Sequence, residues 1–263
     1  MSRVGVIISM LNFNELTDKC VDSVIKNAGV DCNILVIDDG SKKPYDRTGI
    51  HVMRFDEPHG NTHSINTGIM FFDNKYEYIM NLDNDVELAP NAIKELVDIM
   101  DAQPSIAIAG SMRIRERDGK KIYCGQMLDT RGNCASANEG DMANLCLWVS
   151  GCSVLMRSSI IQEIGMFDKR FDNYCQDAEW CLRAIMNDYS VAIVPRSVVY
   201  HVGEITMQTN LINNLGDKEK FMKILSGKWL QDILEHLPLD ITKGLYGRLK
   251  YDTFNKPAPT ELT

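Results

Sequence analysis

Five short apolar runs, separated by polar turns and by segments of helical period, constrain this chain more than any other feature of its sequence. The runs are 4–10, 33–37, 51–55, 76–80 and 105–112. Short continuous apolar runs rich in Val and Ile read as strands covered on both faces. After the first run, Leu16, Cys20, Val21, Val24, Ile25 and Ala28 recur at the helical period, and Asn14 is suited to cap that helix. The segment 60–72 reads as a second helix. Pro90 stands near the start of a third, which carries Ile93, Leu96, Val97 and Met100 on one side. This order predicts an α/β fold with a doubly wound, mostly parallel central sheet and helices on both faces.

The alternation breaks over 113–144, a stretch rich in Gly, Asn, Asp and Arg that reads as a hairpin or flexible loop carrying substrate contacts. Order returns over 145–156, followed by a short helix near 158–164 and a longer one over 176–187. Short strands are expected at 191–194 and 198–200. Beyond about 206 the pattern is helical only: Met222, Leu225, Trp229 and Ile233 form one amphipathic face, and a short helix is expected over 240–250. A chain of 263 residues fits one large domain, here 1–205, with a helical extension over 206–263.

Doubly wound sheets bind ligands beyond the carboxyl ends of their strands. The polar clusters at 9–15, 38–41 and 83–85 all follow strand ends, so they are expected to converge on one edge. Asp83-Asn84-Asp85 places two carboxylates one residue apart, a costly arrangement without a compensating positive charge. Mn²⁺ or Mg²⁺ supplies that charge through hard oxygen ligands and shares coordination with substrate phosphates. The plainer alternative is a solvated turn. Asp38-Asp39 can accept hydrogen bonds from a base or a ribose, or can simply form an Asp-Gly turn. Asp177 is either a general base or an N-cap. Glu179 is four residues before Arg183 and is expected to pair with it. His201 follows another strand and is either a metal or phosphate ligand or a structural histidine.

The net charge of −8 argues against non-specific nucleic-acid binding, although Arg113, Arg115, Arg117, Lys120 and Lys121 form a local basic run. Eight cysteines without a CxxC pair argue against zinc and suit free buried thiols in a reducing compartment. With no targeting or membrane-spanning segment in view, the expected location is cytoplasmic, with membrane contact limited to the surface.

Taken in order, these residues resemble glycosyltransferase family 2, whose fold is called GT-A, and the likeness runs from about residue 4 to 203. The run 6–15 (VIISMLNFNE) is similar to the family's first-strand motif, and 36–41 (VIDDGS) to its second-strand ending. Gly60 and Asn61, with Asn66, Thr67 and Gly68, resemble the helix before the DXD segment, and 81–85 (NLDND) resembles that segment itself. The stretches 151–157 and 164–168, with Phe171, Asp177, Cys181, Arg183 and His201, resemble the acceptor half, in particular its rhamnosyltransferase-like branch.

The resemblance implies a nucleotide-sugar half over 1–112 and an acceptor half over 113–205. It implies that Ser9, Leu11 and Asn14, with Asp38 or Asp39, hold the nucleoside, and that Asn61, Asn66 and Asn84 join the donor set. Asp83 would face the ribose or sugar, Asp85 and His201 a metal, and Asp177 would be the base of an inverting displacement. The implied partners are a UDP- or dTDP-sugar donor and a glycan or lipid-linked acceptor; a homodimer through the C-terminal helices is a further expectation. Gln176 stands where the family often has Glu, and Ser9-Met10 where it often has Pro-Thr or Pro-Ser. The Gln-x-x-Arg-Trp signature of processive synthases is absent, which favours single additions. Nucleotidyl transfer and a non-catalytic sugar-binding module are the rivals. The first lacks its Gly-rich basic loop here, and dinucleotide oxidoreduction lacks a GxGxxG.

Overall fold

The computed structural model describes residues 2–72, 75–115, 119, 121–122, 125–128, 134–136, 144–202, 216–217 and 220–221. Strand β1 (Val4–Met10) leads into α1 (Asn14–Asn27), β2 (Cys32–Asp38), β3 (His51–Arg54), α2 (Asn61–Phe72), β4 (Tyr78–Asp83), β5 (Val86–Leu88), α3 (Ala92–Ala102) and β6 (Ile106–Arg115). Four short strands follow: β7 (Lys121–Ile122), β8 (Gly125–Leu128), β9 (Cys134–Ser136) and β10 (Asn144–Leu145). Then come β11 (Trp148–Val149), β12 (Ser153–Arg157), α4 (Ser158–Ile164), α5 (Gln176–Ile185) and β13 (Ser190–His201).

The main sheet runs β10-β13-β6-β12-β4-β1-β2-β3. β3, β2, β1 and β4 pair in parallel, and β13 is parallel to β6, whereas β12 is antiparallel to both β4 and β6. The sheet is therefore mostly parallel, as the apolar runs predicted. The segment 145–156, expected to be ordered, divides into β10, β11 and β12. Within 113–144, expected to be a hairpin or flexible loop, β8 pairs antiparallel with β9 and, on its other side, with β11 in a small separate sheet.

Both faces of the main sheet are covered. Val4, Val6, Ile8 and Met10 of β1 pack with Cys20, Val21 and Val24 of α1 and with Ile93, Leu96 and Met100 of α3. Ile7 faces the other way, into a core with Ile65, Ile69 and Phe72 of α2 and with residues of α4 and α5. The strand period of two assigns alternate residues to alternate layers. α2 approaches β1 closely through Gly68, where an added Cβ would lie 2.7 Å from Ile7 side-chain carbons.

Some local expectations are corrected. Asn14 is the first helical residue and not the cap: the cap position is Phe13, in the left-handed region, with no side-chain cap bond. Asp177 is not the cap of α5 either, because Cys175 holds that position. The short strands at 191–194 and 198–200 are one continuous strand with a register shift between Val194 and Val198. The amphipathic face through Met222, Leu225, Trp229 and Ile233, the 240–250 helix and the suggested dimer contact lie outside the described residues. No helix among the described residues is long and apolar enough to cross a membrane. Of the described cysteines, Cys20, Cys146, Cys152 and Cys181 are buried and Cys32 and Cys175 half-buried.

Candidate active site

The carboxyl ends of β1, β2 and β4 meet at one edge, as parallel pairing in register requires. Ser9 lies opposite both Ile37 and Asp83, and Met10 opposite Asp38. The chain then turns back through β5, which pairs antiparallel with β13 and places His201 opposite Val86. That register sets the His201 ring beside Asp85, with Nε2 3.0 Å from Oδ1. Asp83, Asp85 and His201 each offer one ligand atom, and the three atoms lie within 4.8 Å of one another.

The electrostatics of this triad suit a cation. Asp83 is pushed up to about 6, first by burial and then by the charge of Asp85, with Asp177 adding to the effect. His201 is lowered by burial, its largest influence, but the hydrogen bond and charge of Asp85 outweigh this and hold it at about 9. Arg113 approaches Nδ1 of the same ring to 3.1 Å, a contact that suits an accepting nitrogen. The two observations pull against each other. The hydrogen bond and charge of Asp85 decide for the imidazolium when no cation is bound.

The donor set of two carboxylate oxygens and one imidazole nitrogen fits Mn²⁺ or Mg²⁺, which favour hard ligands and leave positions for substrate oxygens. Buried polar atoms at and near this edge also lack partners among the described residues: Nε of Arg113, Oδ1 of Asn81 and Oε1 of Gln176. Buried polar groups are otherwise almost always bonded, so orphans at a site mark where a ligand, ion or water belongs.

Asp177 is next to this triad, across the turn that opens β12. The Asp83 N–H donates to the Cys152 carbonyl at 3.0 Å. Its neighbour Gly151 is held on both sides: its carbonyl accepts from Asn81 at 2.6 Å, and its N–H donates to Asp177 Oδ2 at 2.8 Å. The other Asp177 oxygen accepts from the Ala178 N–H at 2.8 Å. Burial raises the Asp177 carboxyl above its usual range, partly offset by these N–H donors. The side chain is half-buried, so it stays accessible while its basicity rises.

The residues assigned to the donor do not play one role. Asp38 is fully buried, and its oxygens take the Ser41 N–H at 2.8 Å, the Tyr45 N–H at 3.0 Å and the Arg54 guanidinium. Asp39 accepts from the N–H groups of His59 and Gly60 at 2.8 and 2.9 Å. Both hold their loops through main-chain N–H groups. Asn66 is buried and clasps the Phe167 backbone through both amide atoms, at 2.8 and 3.0 Å. Asn14 donates to the Pro44 carbonyl, and Asn84 to Thr17. Ser9 donates to Asn61 Oδ1 at 2.5 Å. Leu11 is half-exposed beside them.

Sequence reasoning passed over Asn12 and Phe13, two successive residues at φ 66° and 61°. Asn12 ties this loop to the next one, through the Ser41 hydroxyl at 2.6 Å and the Lys42 N–H at 3.0 Å. Phe13 remains 41% exposed. Left-handed non-glycine backbone concentrates at ligand sites, and here it presents an aromatic ring at the rim. Glu179 does what its spacing predicted, pairing with Arg183 at 2.6 Å.

Comparison with known proteins agrees with this geometry. The family described as "Glycosyl transferase family 2" matches residues 5–164, more than half of the chain. No curated protein matches the sequence. A solved structure similar in fold is the crystal structure of GalNAc-T7 with UDP, GalNAc and Mn²⁺, at TM-score 0.68 and 14% identity. The match covers 96% of this chain and 55% of that one, so the present chain spans little more than half the length of that protein.

Proposed function

The chain belongs to glycosyl transferase family 2, and from that premise we propose that it transfers a sugar, with inversion, from a nucleotide-diphosphate donor to a hydroxyl acceptor. The observation that carries this reading is the placement of Asp177 beside, but outside, the cluster of Asp83, Asp85 and His201. One set of acidic groups suits the departing diphosphate, and a separate carboxylate suits the incoming hydroxyl.

Asp83, Asp85 and His201 would hold Mn²⁺ or Mg²⁺, which when bound neutralises the charge that grows on the leaving diphosphate. Asp83 was assigned by resemblance to the ribose or sugar, and its position among the ligand atoms supports a share in the cation as well. Arg113 lies 3.1 Å from the far ring nitrogen of His201 and adds positive charge on the same side. Asp38 and Asp39 hold the loops that frame the nucleoside, and Phe13 offers its exposed ring as a stacking surface for the base. Asp177 accepts the proton of the acceptor hydroxyl. The hydroxyl oxygen bonds to the anomeric carbon, the carbon–phosphate oxygen bond breaks, and its electron pair stays with the diphosphate. The Gly151 and Ala178 N–H groups keep the Asp177 carboxylate oriented.

UDP or dTDP is the nucleotide we propose, and UDP is the nucleotide bound in the GalNAc-T7 structure. The acceptor we propose is a glycan or lipid-linked oligosaccharide. Asp177→Asn keeps the shape of the side chain and removes the base. Turnover of UDP-hexoses in Mn²⁺ is expected to fall by about 10²–10⁴, while UDP affinity by calorimetry stays near that of the unchanged protein. Full activity in this variant would remove Asp177 from the mechanism.

A further inference from the structure

A buried carboxylate outside the triad is wired into both halves of the site. Asp217, from the C-terminal segment, is 3% exposed. Its Oδ2 accepts three successive main-chain N–H bonds, from Asp172 at 3.1 Å, Asn173 at 3.1 Å and Tyr174 at 3.2 Å. Three consecutive amides converging on one oxygen form an anion-holding nest, and here the chain supplies the anion itself. Lys220 closes the arrangement, donating to Asp217 Oδ1 at 3.2 Å and to the Arg170 carbonyl at 2.6 Å.

The loop so held leads in two directions. Along the chain it runs into Cys175, at φ 64°, and then into the first turn of α5, which carries Asp177. Across space it reaches the donor edge. Asn173 Oδ1 accepts from the Asn61 N–H at 3.1 Å, and Asn61 Oδ1 accepts from the Ser9 hydroxyl. The Asp172 carbonyl accepts from the Thr62 N–H at 3.0 Å. Gly60, at φ +95°, lies so close that an added Cβ would meet the Asp172 carbonyl oxygen at 3.2 Å.

We propose that Asp217 is a positioning residue for the transfer reaction: from the C-terminal segment it fixes the 172–174 loop, and through that loop it sets both Asp177 and the Asn61–Ser9 edge. This rests on the reading of Asp177 as the base. Asp217 touches no reacting atom. Its effect comes from holding the base and the donor side in one frame, and small misplacements of such groups are costly to rate.

The test compares the full-length chain with Asp217→Ala and Asp217→Asn, the second keeping an accepting oxygen. Amide hydrogen exchange is read at 172–174, Asn61 and Thr62. Turnover is read as release of UDP or dTDP from a panel of UDP- and dTDP-hexoses, and Mn²⁺ affinity by calorimetry. In Asp217→Ala, exchange at all five amides is expected to quicken by about tenfold or more, and kcat to fall by about tenfold with KM for the donor raised. Mn²⁺ affinity is expected to hold within about twofold, because the bonds that hold Asp217 go to Asp172, Asn173, Tyr174 and Lys220 and not to the triad. Asp217→Asn should recover most of the kcat. If Asp217→Ala fails to fold, Asp217→Asn and Lys220→Met make the same comparison at smaller amplitude. Faster exchange at 172–174 with unchanged kcat and KM would overturn the proposal and leave Asp217 a structural contact. So would unchanged exchange at Asn61 and Thr62. An unaltered protein that turns over no donor would instead count against the transfer reading itself, and the proposal would fall with it.

Discussion

Metal binding should depend steeply on pH, and the site geometry sets the slope. Only unprotonated ligands bind a cation, so each proton on the triad competes with it. His201 stands at about 9 and Asp83 at about 6 when no cation is bound. Both are raised groups, so both hold protons below those values and release them as pH rises. Each weakens the apparent affinity by one plus ten to the power of its pKa minus the pH. With His201 at about 9 the penalty falls by roughly tenfold per pH unit between pH 6 and 8, and Asp83 adds a smaller share near pH 6. Mn²⁺ affinity is therefore expected to rise by about two orders of magnitude between pH 6 and 8, with about one proton released per ion bound. Calorimetry in buffers of different ionisation enthalpy reads both quantities. His201→Gln should lose most of the slope and keep the small Asp83 part near pH 6. A wild-type affinity that is flat across this range would refute the argument that His201 carries the proton a cation displaces.

Other perturbations test the scaffold. Asn81→Ala removes the donor that holds the Gly151 carbonyl at 2.6 Å in a fully buried setting; a loss of about 1–3 kcal/mol in chemical denaturation is expected, and turnover should drop more than UDP affinity. Gly68→Ala places a Cβ 2.7 Å from Ile7 carbons; a destabilisation of about 1–3 kcal/mol is expected despite alanine's better helix propensity, and combining it with Ile7→Val should restore part of the loss. Arg54→Met leaves the buried Asp38 carboxylate with Ser41 and Tyr45 as its donors. Burial, the largest influence on Asp38, raises its carboxyl, but the Ser41, Tyr45 and Arg54 hydrogen bonds together hold it below the usual range. A depressed carboxylate stabilises the fold above its unfolded pKa and stops doing so as pH falls through the folded value. The variant should therefore melt lower at neutral pH and show a shallower loss of stability on acidification.

Much of this was legible in the sequence because strands and helices declare their periods. β1, β2, β4 and the carboxylates behind them follow directly from apolar runs ending in polar turns. The antiparallel insertion of β12 was not legible, since a five-residue apolar strand carries no mark of its direction. Nor was β5, three residues long and hidden behind Asp85. Yet the β5–β13 register is what brings His201 to Asp85, so the sequence could offer His201 only as one candidate among alternatives. Asp38 is a similar case. Its turn was visible in Asp-Asp-Gly-Ser, but its ion pair with Arg54 depends on the neighbouring strand β3. The role of Asp217 had no local signal, because a nest for its carboxylate exists only once the 172–174 loop is folded.

The central claim is that Asp83, Asp85 and His201 hold a divalent cation that grips a nucleotide diphosphate within reach of Asp177. A crystal structure with Mn²⁺ and UDP, phased to show the manganese anomalous signal, tests it most directly. The expected map has one strong peak bonded to Asp83, Asp85, His201 and the diphosphate oxygens, with the Asp177 carboxylate facing the open side. A manganese peak bonded to none of these three residues, or UDP seated away from them, would contradict it.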